Sequence, residues 1–313
     1  MPVGELFAIG AAISHSIGAL IDKALTRRLP PMKQAALAAL GGSFFSFILV
    51  AVLGRYRELP DVHVPSLVLG VCGGLVSFGI GFTLFLIFLK SVDANKAIPL
   101  SGGVSSILSV ISGLFFLDED LSALTLGGIA IILVGIYALS FFQRNETDLA
   151  QSVWLGFRGM AFLVFAASFW VAGFSMQAVA LREVDSVILN SARLPAIFIF
   201  LTVLSLLGVG KLLRPRGAAS QPAFEVSTTH EGLRQTLRGY VVPILNGCLN
   251  LGIGSLFILI AVEKAGLAIA FTLSNTSLLW IALTSPLFLR ERLTLKTLSG
   301  VVVTLAGVIM VVR

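Results

Sequence analysis

The residues of this chain that could do chemistry sit where a hydrocarbon surrounding makes them costly. Arg193 lies eight residues into the apolar run "SVILNSARLPAIFIFLTVLSLLG", which at helical rise is roughly 12 Å deep. An ionisable side chain inside a membrane helix marks, by default, a cavity or a functional contact. No acid inside the predicted spans stands as its partner, so a substrate carboxylate or phosphate could supply the counter-charge in bidentate geometry. The alternatives are an arginine snorkelling to an interface, or one capping carbonyls freed beside Pro195. His15, between Ser14 and Ser16 in "GAAISHSIGAL", titrates in the range a proton relay needs. The plainer reading is a polar contact between helices. Aligning Gly18 with Gly173 sets His15 over Trp170, on matching faces of the first and sixth spans.

A polar strip, "PLSGGVSS" at 99–106, forms a further candidate. Pro99 removes a helix hydrogen bond, and Gly102 and Gly103, next to Ser101, let a neighbour or ligand approach the backbone. Kinked or unwound helices at mid-depth are where carriers bind substrate, while small-residue helix packing needs no ligand. Asn275, in "FTLSNTS" at 271–277, is more polar than packing requires. Asn246, Asn250, Gln177 and Trp280 are further candidates for the site, each able to serve instead as interhelical glue. Glu119 and Glu291 invite a proton-coupling role, but each precedes by three residues a good N-cap, Ser122 or Thr294. The helix macrodipole favours such acids, so both are expected to hold helix corners.

Something must position these groups, and composition says what. Of the residues 57% are hydrophobic and only 12% charged, with mean hydropathy +0.98. A soluble domain carries about 25% charged residues, so a water-soluble enzyme, a nucleic-acid reader and a disordered scaffold are excluded. The net charge is +6, and Cys72 and Cys248 lie in apolar runs. No HExxH, P-loop or paired-cysteine zinc pattern occurs, so no cofactor or metal is implied. The acidic start "MPVGE" leads straight into membrane rather than reading as a removable signal. Crossing the hydrocarbon takes about 20 apolar residues. Ten spans satisfy that: 5–21, 34–54, 66–89, 97–117, 122–142, 154–180, 186–210, 239–262, 266–289 and 296–312. The first has no deep acid on this assignment, because Asp22 falls in the linker "DKALTRRLPPMK"; that argues against cationic substrates. The long connection 211–238 is expected to be a solvated loop.

An internal repeat organises the spans. "FLDEDLSALTLGGIAIILVGI" (116–136) over "FLRERLTLKTLSGVVVTLAGV" (288–308) gives nine identities in 21, including Glu119/Glu291, Gly128/Gly300 and Gly135/Gly307. "GIG" recurs at 79–81 and 252–254, where small-residue packing is the preferred reading. Each half holds five spans, so the second half enters the membrane upside down. The expected fold is therefore an all-α integral membrane protein of ten transmembrane helices in two inverted five-helix repeats, 1–145 and 150–313. Inverted repeats are the architecture of alternating-access carriers, with the substrate near the midplane.

At the repeated "FL-x-E-x-L-[ST]…G…G" signature the chain resembles the drug/metabolite transporter superfamily, specifically its ten-helix EamA-type members, over nearly its whole length. Pro99-Leu100 stands twenty residues before Glu119, as that pattern has it. Phe271 replaces the second proline, and Asp118 and Arg290 stand where a glycine is usual. The resemblance implies export or exchange of small polar metabolites such as amino acids, with spans 5 and 10 packing peripherally. It also places both termini in the cytoplasm. The excess of Lys and Arg in the connections after spans 1, 3, 5, 7 and 9 instead places them outside.

The function expected is secondary transport, not catalysis, of amino acids or related zwitterionic or anionic compounds around a midplane cavity. The alternatives are a flippase for a lipid-linked head group, a membrane-embedded transferase, and a non-transporting scaffold. A transferase would need a deep acid cluster, and a scaffold would show soluble domains. The expected partners are a small-molecule substrate, the bilayer and a coupling proton, with no nucleic acid, in a monomer or homodimer of a cell (inner or plasma) membrane.

Overall fold

The structure, a computed structural model, describes residues 3–26, 29–91, 94–142, 157–209, 230–277, 279–280 and 295–312. Among the described residues every regular element is helical. Spans 1 and 2 are α1 (Val3–Thr26) and α2 (Pro31–Val52), and span 3 is α3 (Val64–Gly74), a π-helical segment π1 (Leu75–Phe82) and α4 (Thr83–Ser91). Then follow α5 (Ala94–Phe116), α6 (Ala123–Phe142), α7 (Phe157–Ala180) and α8 (Ser186–Leu206). Span 8 is α9 (His230–Gly247), π2 (Cys248–Gly254) and α10 (Ser255–Ala265); α11 (Leu267–Ser274) and α12 (Leu295–Val312) complete the chain. Six of these stretches are long and apolar enough to cross a bilayer, with shorter apolar helices at Leu100–Phe116, Ala123–Ala138 and Ser299–Val312.

α1 shows how the sequence assigns its faces. Leu6, Ile13, Ile17 and Leu20 are exposed, whereas Ala8, Ala11, Gly18, Asp22 and Leu25 are buried on a stripe at three- and four-residue spacing. Phe44 and Phe47 of α2, Phe115 and Phe116 of α5 and Ile199 and Leu206 of α8 are exposed likewise. So much exposed apolar surface can face only lipid. The chain is a multi-pass membrane protein.

The packing repeats across the halves. α1 lies on α10 and π2 as α7 lies on α3 and π1; α2 pairs with α8, α5 with α11, and α6 with α12. Exchanging the halves exchanges these pairs, which is what two inverted repeats require. The first half therefore buries its polar faces chiefly against the second. α6 and α12 make their most extensive contacts with each other, as the peripheral placement of spans 5 and 10 implied. Their seam closes on Gly128, where an added Cβ would lie 3.0 Å from the Gly307 carbonyl, and on Gly135, whose Cβ would lie 2.7 Å from the Thr304 nitrogen. Gly300 is buried and its carbonyl accepts from the Thr304 hydroxyl at 2.8 Å.

Two expectations need correction. The connection 211–238 is not wholly loop, because α9 already begins at His230; its many charged residues hid the helix. α5 runs unbroken through Pro99, so span 4 is not unwound there, whereas α11 ends in a turn at Asn275. Pro99 is the sixth residue of α5, so the helix forfeits a single backbone hydrogen bond near its start and continues. The irregular backbone lies instead in π1 and π2, at both "GIG" sites. These begin at residues 75 and 248 and hold the same small-residue contacts that packing called for.

At the crossing of α3 and α7, a Cβ on Gly73 would stand 2.5 Å from the Gly173 carbonyl and 2.9 Å from Met176 Cβ. Gly73→Val is therefore expected to lower unfolding free energy by about 1–3 kcal/mol. Gly127→Ala, whose Cβ would meet only Met310 Cε at 3.5 Å, is expected to be neutral or stabilising by up to about 1 kcal/mol. Reversible unfolding of the purified protein in mixed micelles reads both signs.

Candidate functional site

Arg193 is placed by its helix start. Asp185 caps α8, its Oδ1 accepting from the amides of Val187 at 2.9 Å and Ile188 at 3.2 Å. Two turns later Arg193 points inward and is fully buried. Gly74 lets it approach α3, an added Cβ there meeting Arg193 Cβ at 2.9 Å. Its Nε and Nη2 donate to Asn190 Oδ1 at 3.1 and 2.8 Å, Nη1 donates to Gln177 Oε1, and Nη2 also donates to the Ser255 carbonyl at 3.3 Å and to Ser255 Oγ. The guanidinium lies 5.3 Å from the Phe78 ring centroid and 5.8 Å from that of Phe174. It therefore neither snorkels nor caps carbonyls of its own helix. Every partner is neutral.

The shell extends outward through amides. Gln177 Nε2 donates to Ser77 Oγ and to the Gly173 carbonyl, both at 3.0 Å. Asn190 Nδ2 donates to Ser46 Oγ at 2.8 Å and to the Gly252 carbonyl of π2 at 3.3 Å. An arginine at a helix centre costs roughly 2.5–3.5 kcal/mol to insert. Hydrogen bonds to a charged group return about 1.5–3 kcal/mol each, so a shell this complete offsets the cost without an anion.

A second polar centre was not foreseen. Asp22, assigned above to a linker, is 2% exposed inside α1. Its Oδ1 accepts from Gln34 Nε2 and Asn246 Nδ2, both at 2.9 Å, and its Oδ2 from Asn250 Nδ2 at 3.2 Å. Asp22 closes the apolar stretch Val3–Asp22, Gln34 is the fourth residue of Pro31–Val52 and Asn246 the eighth of Gly239–Ala265, so this centre is buried in the protein toward one end of its spans. The first span thus ends on a buried acid, and the objection to cationic substrates that rested on its absence falls. π2 joins the two centres: Asn250 binds Asp22, the Gly252 carbonyl accepts from Asn190, and the Leu249 carbonyl accepts from Ser14 Oγ at 2.7 Å. Such π insertions free backbone groups and recur at functional sites.

The remaining candidates fall into three places. His15 is half-buried beside Gly254, where an added Cβ would lie 3.0 Å from Nε2. Trp170, its repeat counterpart, has its backbone against Gly81 and its ring among Phe78, Phe82 and Phe85, with centroids 5.5–6.1 Å away. At the α5–α11 crossing, Asn275 Nδ2 donates to the Gly102 carbonyl and to Ser106 Oγ, both at 3.0 Å. Ser101 is half-buried there, and a Cβ on Gly103 would meet open space. Trp280 is half-buried. Of Pro99 only its position in α5 is described, and Glu291 lies outside the described residues.

Glu119 does more than hold a corner. Its amide donates to the Gly113 carbonyl at 2.9 Å, but its carboxylate crosses to the other half and accepts from the amides of Leu267 and, at 3.1 Å, Ala268. It thus caps the start of α11, where the macrodipole favours an anion. Asp118 beside it has φ 54°, a left-handed conformation that suits the glycine the resemblance implied at this position. Ser122 caps α6 as expected, its Oγ accepting from the Thr125 amide at 3.1 Å. A separate apolar cavity of about 450 Å³ lies between α3, α5 and α7, near Leu108, Ser112, Ser175 and Met176.

Two inverted repeats with buried polar groups at their seam form an architecture that many membrane transporters share. The chain belongs to the EamA-like transporter family, which matches residues 2–141 and 157–313. It is 26% identical over 281 residues to a Streptococcus pyogenes serotype M1 protein whose name proposes sugar uptake, covering 87% of this chain and 84% of that one. It is also 29% identical over 144 residues to the Bacillus subtilis (strain 168) transporter YwfM, covering 46% of this chain and 47% of the other. A match to solute carrier family 35 member F2 of Xenopus tropicalis is 27% identical over 153 residues, 48% of this chain and 37% of that one. One solved crystal structure shares the fold, with TM-score 0.68 at 16% identity over 98% of this chain and 95% of the other. The chain is thus a membrane transporter.

Removing the carboxylate at Glu119 should unseat the start of α11. Glu119→Ala is expected to cost about 1–2 kcal/mol of unfolding free energy, and Glu119→Gln, which keeps one acceptor oxygen, clearly less. Thermal unfolding of the two purified variants beside wild type measures the difference.

Proposed function

We propose that this protein is a secondary transporter of small polar metabolites, amino acids or related zwitterionic or anionic compounds, working by alternating access between its halves. The observation that carries the reading is Arg193: a fully buried guanidinium between the repeats whose partners are all neutral. A substrate carboxylate exchanging for Asn190 Oδ1 and Ser255 would bring the charge and fork geometry that the amides lack. Phe78, Phe174 and Trp170 supply the apolar wall. α2, α3, π1, α7, α8 and α10 all meet at this arginine or its shell, so its occupancy bears on how the halves pack.

A second reading has its own support. The Streptococcus pyogenes relative named for sugar uptake aligns over 87% of the chain, and a site rich in carboxamides and hydroxyls also suits a sugar's hydroxyl groups. Counterflow separates the two. Purified protein in liposomes preloaded with a mixture of amino acids, organic anions and monosaccharides is offered each labelled compound in turn, with protein-free liposomes as control. Saturable accumulation of an amino acid or organic anion is the expected result. Accumulation of monosaccharides alone would install the second reading. No counterflow of any compound, with labelled lipid-linked head groups crossing instead, would replace both with lipid flipping.

A further inference from the structure

We infer that Asp22, with Gln34, Asn246 and Asn250, forms the site at which this protein binds and releases a proton. The inference deepens the proposed function and rests on it for its purpose, since proton coupling has meaning only in a transporter. Asp22 is buried at 2% exposure with three amide N–H donors on its oxygens and, among the described residues, no cation. An ionised carboxylate in such a place depends wholly on those donors.

The same amides carry the complementary half of the site. Gln34 Oε1 and Asn246 Oδ1 are buried and, among the described residues, accept no hydrogen bond, on side chains 0% and 3% exposed. A buried acceptor without a donor is uncommon. Here two stand on the amides whose nitrogens already hold the carboxylate. Protonation puts an O–H on Asp22, which needs one acceptor, and turning the Gln34 amide over supplies it where Nε2 now donates. One rotation thus offers the new hydroxyl an acceptor and gives up the Nε2 bonds to Asp22 Oδ1 and to the Asp22 carbonyl, while Asn246 and Asn250 keep theirs. A sodium ion would instead need several amides turned together, and two of their nitrogens also hold backbone carbonyls, Gln34 that of Asp22 at 3.1 Å and Asn246 that of Gly18 at 3.4 Å.

The neighbours leave this role to Asp22. From α2, Lys33 turns away and donates to the Tyr240 hydroxyl of α9 at 2.9 Å. From π2, the Cys248 thiol donates to the Gly41 carbonyl at 3.2 Å. On α1 itself His15 lies two turns off, against Gly254, and Glu5 lies in the first turn. α11, also packed on α1, carries no titratable side chain, while Glu263 and Lys264 of α10 bind each other at 2.5 Å. Glu119 is engaged as a cap. The donors come from α2 in the first half and α9 and π2 in the second, so a proton here loosens or tightens a tie between the halves.

The test needs no substrate. Infrared difference spectra of the purified protein in lipid are recorded across pH at constant salt, following the carbonyl stretch of protonated carboxyl groups. Above the signal of the exposed carboxyls, a buried-carboxyl component that grows on acidification is expected in wild type and in Glu5→Gln, to vanish from the difference spectrum of the near-isosteric Asp22→Asn, and to move in Asp22→Glu. Matching thermal unfolding curves establish that Asp22→Asn is folded. A band that survives in Asp22→Asn, or disappears in Glu5→Gln instead, overturns the assignment. So does an Asp22 band that answers to added sodium at fixed pH but not to pH. Failure here leaves the counterflow result untouched, and the reverse also holds.

Discussion

The structure turns on one constraint: a charge placed in hydrocarbon must be fully surrounded by partners. Arg193 meets it with Gln177, Asn190 and Ser255, drawn from α7, α8 and α10. Each partner is itself bound, Gln177 to Ser77 and Gly173, Asn190 to Ser46 and Gly252. The guanidinium therefore fixes the relative seating of five spans from both repeats. Glycines do the rest, since Gly73, Gly74 and Gly173 let the backbones approach closely enough for short amide side chains to reach.

Much of this was legible in the sequence. Apolar run lengths located the six long spans among the described residues, and glutamate and glycine pairs in register located the repeat. An odd number of spans per half dictated the inversion. Arg193 announced itself because a charge stands out in a run of Leu, Ile and Phe. His15 and Trp170 could be matched by a glycine alignment alone, and they do take equivalent places, against Gly254 and Gly81.

What stayed hidden has physical reasons. Asp22 is followed by Lys23, Arg27 and Arg28, so composition assigned it to a linker. Yet Ala8, Ala11, His15, Gly18, Asp22 and Leu25 follow one three-and-four stripe, and that spacing was the available signal. The π segments leave no mark in apolar periodicity, because one inserted residue shifts a face without changing composition. Asn190 stood one turn before Arg193 on the same face and could have been paired with it. The reach of Glu119 to Leu267 joins residues 148 apart, a contact that only the folded halves create.

The central claim is that Arg193 serves substrate and is not merely a structural tie. Arg193→Met measures that most directly, because replacing a buried charge by an apolar side chain of similar length is often neutral or stabilising. Unfolding and counterflow are measured on the same preparation. The expected result is a folded protein, at least as stable as one with Arg193→Ala, whose counterflow is lost. A Met variant that folds and still exchanges solute at the wild-type rate would contradict it.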